Sequence, residues 1–453
     1  MRPGAAVSVT VTPDEALARI LRNVDALDVV DRPIRDALDH VLAEDVTAPI
    51  HLPSYDNSAM DGYAVRSADL TGPRELIVVG DVRAGYVAHE EVRPGTAIRI
   101  MTGAAIPRGA DAVIQYEKTR ACGADDDQSG PLSIMPPTSI RIESRIEPGT
   151  NIRRAGEDIR SGSLLMTRGQ QVGPSEVAVL AAIGRSHVRV VPRPVIAVLS
   201  TGDELVEPGL SLGPGQIFNS NGFALGALVA RAGGELLTGV AVPDSLPELR
   251  ARMAELLEVA DLVVTSGGAS GGAYDIVGQL ASREGMVESL AVRMKPGKPL
   301  AIGWLNRPPR SPTSGQGVPF IGLPGNPVAA MVAFELFARP TILRLRGIAD
   351  LDAPTVTAIA EEDFSHHGDR VSYVRVSLQW TGEIFAATSV GLHRSGALSS
   401  LLSADGLAEI PGDGVGGTRG ELIRVRLVDW SGGLRSHLRH AHQGSPPMRE
   451  MLI

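Results

Sequence analysis

The chain has little cysteine, few aromatic residues, no surplus of positive charge and no long uninterrupted apolar run. Its single cysteine among 453 residues, Cys122, excludes a disulfide framework and any cysteine-based zinc or iron–sulfur site, and suits a reducing compartment. Aromatic residues make up 4%, so the cores must be built from Val, Leu, Ile and Ala. The net charge is −9, from 43 Lys and Arg against 52 Asp and Glu. That argues against a general nucleic-acid binder but leaves room for a local cationic pocket. The longest apolar stretch, 318–334, is broken by Gly322, Pro324, Gly325, Asn326 and Pro327, whereas a membrane helix needs about 20 largely uninterrupted apolar residues. No apolar run near Met1 reads as a signal peptide. The expectation is a soluble, cytoplasmic protein with no nucleic-acid and no membrane partner.

What the chain does have is 43% hydrophobic residues, 51 Gly and 32 Pro, enough for sizeable turn-rich cores in roughly two to four domains. Thr12-Pro13-Asp14-Glu15 reads as an N-cap, a first-turn proline and a capping-box glutamate, followed by Leu17, Ile20, Leu21, Val24 and Leu27 at helical spacing. Residues 51–150 hold short β-like runs between glycines and prolines, with an exposed hairpin loop at 122–131, and a short helix is expected at 175–183. Over 194–343 strand-like and helix-like runs alternate: strands at 195–200, 236–242, 262–268, 287–294, 300–304 and 320–323, and helices near 223–232, after Ser245, near 276–284 and from Asn326-Pro327 onward. That alternation predicts a mostly parallel sheet covered on both faces, with ligands beyond the carboxyl ends of its strands. From about 352 the pattern is β-like again, with a small barrel or sandwich expected, and 431–453 is a polar tail.

Four motifs fall where strands of the alternating region end. Asp203-Glu204 after Ser200-Thr201-Gly202 could hold Mg²⁺ through carboxylate oxygens, although a turn acid explains the pair alone. Thr265-Ser266-Gly267-Gly268-Ala269-Ser270 could turn backbone N–H groups toward an oxyanion, yet it matches neither a dinucleotide fingerprint nor a P-loop. Lys295-Pro296-Gly297-Lys298-Pro299 sets two ammonium groups on a proline-stiffened loop, which favours an anion between them. Leu323-Pro324-Gly325-Asn326-Pro327 joins a buried strand to a buried helix, and Asn326 can cap that helix. Earlier in the chain, Asp61 lies in the polar loop 56–64, and 153–158 (RRAGED) reads as a site element or an ordinary salt-bridged turn.

Together DNSAMDGYAV, IRIMTGA, NIRRAGEDI, STGDEL, VVTSGG, KPGKP and LPGNP occur in the order found in the molybdopterin molybdenumtransferases, which include bacterial MoeA and the E domain of gephyrin and the plant Cnx proteins. The resemblance spans roughly 8–430. It implies a multidomain α/β plus β architecture: a MogA-like doubly wound α/β substrate domain from 8–28 and 185–343, an elongated two-part body of 29–50 with 151–184 and a β-rich dimer-facing domain 51–150, and a C-terminal β-barrel over 352–430. It implies a homodimer in which the loop of Asp61 faces the partner's α/β domain.

The implied reaction is insertion of molybdate into adenylated molybdopterin with Mg²⁺-dependent release of AMP. The alternatives are an adenylyltransferase-type activity on molybdopterin or a non-catalytic scaffold. By resemblance the catalytic set is Asp61, Thr102, Asp158, Glu204, Asp244, Asp275, Lys295 and Lys298, with Glu204, Asp244 and Asp275 on the metal. The implied substrate-binding set is Ser266, Gly267, Gly268, Ser270, Pro324, Asn326, Pro327, Arg375 and Ser395. An adenylyltransferase or a cofactor-accepting molybdoenzyme would be the protein partners. The chain departs from the family at Ala269-Ser270-Gly271-Gly272-Ala273 (commonly Val-Ser-Val-Gly-Glu), at Asn219-Ser220-Asn221 (Asp-Ser-Asn) and at His393-Arg394-Ser395-Gly396 (Gln-Gly-Ser-His).

Overall fold

Thr12 caps the start of the first helix, Pro13–Leu21, as its sequence predicts. Its Oγ1 accepts from the Glu15 N–H at 3.1 Å, and Glu15 Oε2 accepts from the Thr12 N–H at 2.8 Å. The computed structural model describes residues 9–122, 136–239, 241–242, 245–267, 285–306, 317–365, 368–391, 397–414, 416–428 and 430. The expected helix at 276–284 and most of the 122–131 loop lie outside them. The chain divides into two compact units, one of Arg32–Leu38 and Glu44–Val188, the other of Met1–Asp31, Asp39–Ala43 and Arg189–Ile453.

In the larger unit the strands Val195–Thr201, Glu235–Thr238, Leu262–Ser266 and Val318–Leu323 are parallel to their neighbours. The Val195 strand sits between the Glu235 and Leu262 strands, so successive connections leave it in opposite directions and a topological switch point lies beside it. Alternate residues of one strand feed two cores. Ile196 and Val198 pack under the helix Ser220–Arg231 with Leu225 and Val229, and Ala197 and Leu199 pack on the other face with Leu249 and Met253 of the helix Leu246–Leu257. Burial on both faces is why these strands read as unbroken apolar runs.

The sheet is mostly parallel, as the alternation predicts, with Pro299–Leu305 as its one reversed strand among the described residues. Gly285–Val292 pairs antiparallel with Pro299–Leu305, which pairs antiparallel with Val318–Leu323. The connection through Lys295-Pro296-Gly297-Lys298 is too short for a parallel crossover, which takes a dozen or more residues. Beyond the sheet, one helical stretch runs as Pro327–Ala333, a π-helical turn Phe334–Ala338 and Arg339–Leu345.

Thr355–Ala360, Val371–Trp380, Phe385–Ser389, Gly406–Ile410 and Leu422–Leu427 form the β part of this unit. Because Val371–Trp380 pairs with both Phe385–Ser389 and Gly406–Ile410, the five strands close into a barrel, filled by Ala358, Val376, Leu378, Ala408 and Val425. Closure leaves no unpaired edge, which decides between the barrel and the sandwich. Met294-Lys295 pairs with Val371-Ser372, stitching the lysine loop to the barrel.

The smaller unit is built on a six-stranded sheet that includes Gly62–Val65, Arg74–Val82, Thr96–Ile100 and Ala112–Gln115. Its two faces bury Tyr63, Leu76 and Ile114 on one side and Ile98, Ile100 and Val113 on the other. The short helix read at 175–183 is Pro174–Ala182. The fold class implied by the resemblance, α/β plus β with a C-terminal barrel, is the one observed. Among the described residues no helix is long and apolar enough to cross a membrane.

Candidate active site

Four strand ends converge on one edge of the larger unit's sheet. Parallel pairing puts the carboxyl ends of the Val195, Leu262 and Val318 strands side by side. The Gly285 strand, two antiparallel steps from the last of these, points the same way, so the lysine loop emerges there too.

Ser266, 3% exposed, ends its strand. Gly267 then takes φ +94, and a Cβ there would lie 3.1 Å from the Thr201 carbonyl oxygen, so both the left-handed backbone and the close approach favour glycine. The Gly267 N–H donates to the Leu323 carbonyl at 3.2 Å, tying the glycine turn to the Leu323-Pro324-Gly325-Asn326 segment. A side chain ties them a second time. Asn221, in the first turn of the helix Ser220–Arg231, donates through Nδ2 to Ser266 Oγ at 2.6 Å and to the Gly325 carbonyl at 2.8 Å.

Beside this segment lies a cavity of about 740 Å³, lined by Lys295, Pro296, Pro324, Gly325, Asn326, Glu362, Ser372 and Arg375 among others. Its cations come from the lysine loop and the barrel strand Val371–Trp380. Burial and the positive charge of Arg370 hold the Lys295 ammonium below the usual lysine range. Arg375 is 3% exposed, and burial lowers its pKa as well. Glu362 is held on the barrel side, its Oε1 accepting from the N–H of Ser389, a residue paired with Val376 beside Arg375; that bond is 2.7 Å long. The arrangement offers hydroxyl and N–H donors at the strand ends and, next to them, two cations, Lys295 and Arg375, in a lining that also holds the carboxylates Glu362 and Asp363; the two cations can meet anionic groups of a ligand.

Of the residues expected from the sequence, the structure brings Lys295, Pro324, Asn326 and Arg375 to one cavity and joins Ser266 and Gly267 to it through Asn221 and Leu323. Pro327 opens the following helix, and Asn326 holds its N-cap position without a side-chain cap bond. Its carbonyl accepts from the Ala330 N–H at 2.8 Å, so the capping expected of the Asn326 side chain is not made. Ser245 likewise stands at an N-cap without a side-chain bond. Lys298 is exposed, and its carbonyl accepts from the Val292 N–H. Glu204 is exposed and folds back over Gly202. Gly268, Ser270, Asp244, Asp275 and Ser395 lie outside the described residues.

In the smaller unit Asp61 Oδ1 accepts from both the N–H and the Oγ1 of Thr102, at 2.7 and 2.8 Å. The ordinary-turn reading of 153–158 fits the contacts made there. Arg154 Nη1 bonds Asp56 Oδ2 at 2.7 Å, the Ala155 N–H bonds Asp56 Oδ1, and Glu157 accepts from the Arg154 N–H. These bonds hold the Asp56 carboxyl below its usual value, the Ala155 bond most. Asp158 in the same turn is exposed. Sequence reasoning missed Asn221, Glu362 and Ser372 as members of the site.

Comparison with known proteins shows which family the chain resembles in sequence and fold. Family models described as MoeA N-terminal region (domain I and II), "Probable molybdopterin binding domain" and MoeA C-terminal region (domain IV) match residues 11–184, 197–344 and 357–428. Molybdopterin molybdenumtransferase 2 of Mycobacterium tuberculosis is 37% identical over 404 residues, covering 87% of this chain and 93% of its own. The molybdopterin molybdenumtransferase of Haemophilus influenzae is 36% identical over 375 residues, covering 82% and 87%. A crystal structure of a molybdopterin biosynthesis moea protein from Pyrococcus horikosii superposes with a TM-score of 0.73 at 32% identity, covering 92% of this chain and 99% of that one. With its fold, its motifs and its full-length relatives in agreement, the chain belongs to the molybdopterin molybdenumtransferase family, enzymes of molybdenum cofactor biosynthesis.

Proposed function

We propose that this chain inserts molybdate into adenylated molybdopterin and releases AMP, yielding molybdenum cofactor. The observation that carries the reading is that Lys295 and Arg375 line one cavity beside the Pro324–Asn326 segment, itself bonded to the strand end at Ser266. A pterin bearing phosphates and a molybdate dianion both need such a surface. Lys295 and Arg375 attract and orient the anions, Ser266 and the Gly267 turn take phosphate oxygens, and Pro324 and Pro327 shape the wall. The low thiol content of the chain is compatible with this chemistry, because the sulfur ligands of molybdenum come with the pterin.

Mg²⁺ belongs to the proposal through Glu204, Asp244 and Asp275, an all-oxygen donor set suited to a hard cation. Among the described residues, which include only Glu204 of the three, no group of three His, Cys, Asp or Glu side chains could hold a metal. Bound there, it would polarise the pyrophosphate linkage and neutralise the leaving charge. Asp61, Thr102, Asp158 and Lys298 enter as further catalytic groups, the first two contributed by the partner in a homodimer. Gly268, Ser270 and Ser395 enter as further substrate contacts. The reaction is proposed as cytoplasmic.

The test is direct. Purified protein supplied with adenylated molybdopterin, Mg²⁺ and molybdate should release AMP in a molybdate-stimulated manner. Absence of that stimulation refutes the reading, and turnover of molybdopterin with ATP instead would establish adenylyl transfer. Sedimentation velocity checks the dimer.

A further inference from the structure

We propose that Ser200 and Ser266 form a two-hydroxyl cradle for a tetrahedral oxyanion at the switch point of the sheet, and that Asn221 sets its hydrogen-bond polarity. The inference rests on the functional reading above and adds Ser200 and Asn221 to that site.

The register of the two central strands places Ser200 opposite Ser266. Neighbouring strands lie about 4.8 Å apart, and paired residues share a face. That face is the one under the helix Ser220–Arg231, because Ile196, Val198, Leu262 and Val264, at even spacing before the two serines, all join that helix's core. The serines are therefore the last members of two buried apolar rows, 1% and 3% exposed. Ser200 Oγ has no hydrogen-bond partner among the described residues. A buried hydroxyl without a partner is unfavourable for folding alone, and its place at the carboxyl edge gives it a use.

Asn221 decides what Ser266 can do. A backbone carbonyl only accepts, so the amide face turned to the Gly325 oxygen at 2.8 Å must be the NH₂. The same NH₂ group meets Ser266 Oγ at 2.6 Å, and Ser266 accepts from it. Ser266 therefore keeps its own proton for another acceptor. Ser200 and Ser266 together present two donors one strand apart, with the backbone of Gly267 beside them. The matching ligand is a fully deprotonated tetrahedral oxyanion, either a phosphate group of molybdopterin or molybdate itself.

The test measures binding of molybdopterin and of molybdate, in separate titrations, to the full chain and its variants. Asn221→Asp preserves shape but reverses polarity, since a carboxylate takes the Ser266 proton and faces the Gly325 oxygen with a like acceptor. We expect the Kd of one probe to rise about tenfold or more. Loss for molybdopterin alone assigns the cradle to its phosphate, and loss for molybdate alone assigns it to the metal oxyanion. Simple charge repulsion would cost as much in a Ser266→Ala background as in the parent; the proposal requires the effect to shrink there, and an equal loss overturns it. Ser200→Ala should melt at or above the parent temperature, because it removes an unpartnered buried hydroxyl, while binding weakens. This variant keeps the test decisive if Asn221→Asp fails to fold, and unchanged binding overturns the cradle. A parent protein that binds neither probe overturns the functional reading itself, an outcome distinct from variants that bind like the parent.

Discussion

Asp61 and Thr102 are joined twice through one oxygen, Asp61 Oδ1 accepting from the Thr102 N–H at 2.7 Å and from its hydroxyl at 2.8 Å. An asparagine carbonyl at position 61 could accept both bonds, so Asp61→Asn separates charge from scaffold. If the negative charge acts in the reaction, Asp61→Asn loses about a hundredfold or more in kcat with an unchanged melting temperature. Full activity in that variant would reduce the carboxylate to a support for Thr102.

Arg375 is nearly fully buried yet lines the cavity. Arg375→Ala should raise the KM for molybdate or adenylated molybdopterin by about tenfold or more, the scale of a lost charge-assisted hydrogen bond. Arg375→Lys should fall between, since it keeps the charge and loses the planar fork. Steady-state kinetics with each substrate varied in turn reads the difference.

The Lys295 ammonium is pushed below the usual lysine range by burial and by Arg370. It therefore loses its proton at a lower pH than an exposed lysine, and anion binding should weaken on the alkaline side. Lys295→Arg stays charged throughout. The alkaline limb of a kcat/KM profile should move to higher pH in that variant; coincident profiles would remove Lys295 from the titration.

Glu335 is buried in the π-helical turn, where Trp430 Nε1 donates to its Oε1 at 2.9 Å. Burial raises its pKa, and the Trp430 bond and Arg339 only partly oppose that. A raised folded pKa means that the folded state binds the proton more tightly. The contribution to stability is then full below the ordinary glutamate value and declines as pH rises through the folded value. Glu335→Gln keeps an acceptor for Trp430 and removes the titration. It should flatten the dependence of melting temperature on pH and melt about 2–4 °C higher near pH 8. A lower melting temperature there would show that the carboxylate is held charged by Arg339.

Local signals in the sequence suffice where a few adjacent residues decide the outcome. Thr12 and Glu15 make the expected capping box, and the apolar runs appear as the strands Val195–Thr201, Leu262–Ser266 and Val318–Leu323, buried on both faces. Pairing direction was not legible in the same way. The run at 287–294 looks like any other buried strand, and only the four residues at 295–298 reveal that the chain must turn straight back. Asn326 shows a preference overridden by geometry, since the backbone alone makes the cap. Asn221 matches the last position of the family's Asp-Ser-Asn, but its role is not legible there, because its partners lie 45 and 104 residues away. Ser200 stands at a predicted strand end in STGDEL, but its burial follows from which strands flank it.

The pairing of Met294-Lys295 with Val371-Ser372 and the bond from the Val371 N–H to the Arg293 carbonyl at 3.1 Å place main-chain bonds along the rim of the cavity. Ladder bonds resist shear and separation together, so the lysine loop and the Arg375 strand cannot part like jaws without rupturing them. The cavity is thus preassembled, and its ligands must come and go through its mouth. Association there should lack a slow closing step, and a fragment lacking the barrel would leave Lys295 on a loop with nothing to fix its height above the sheet.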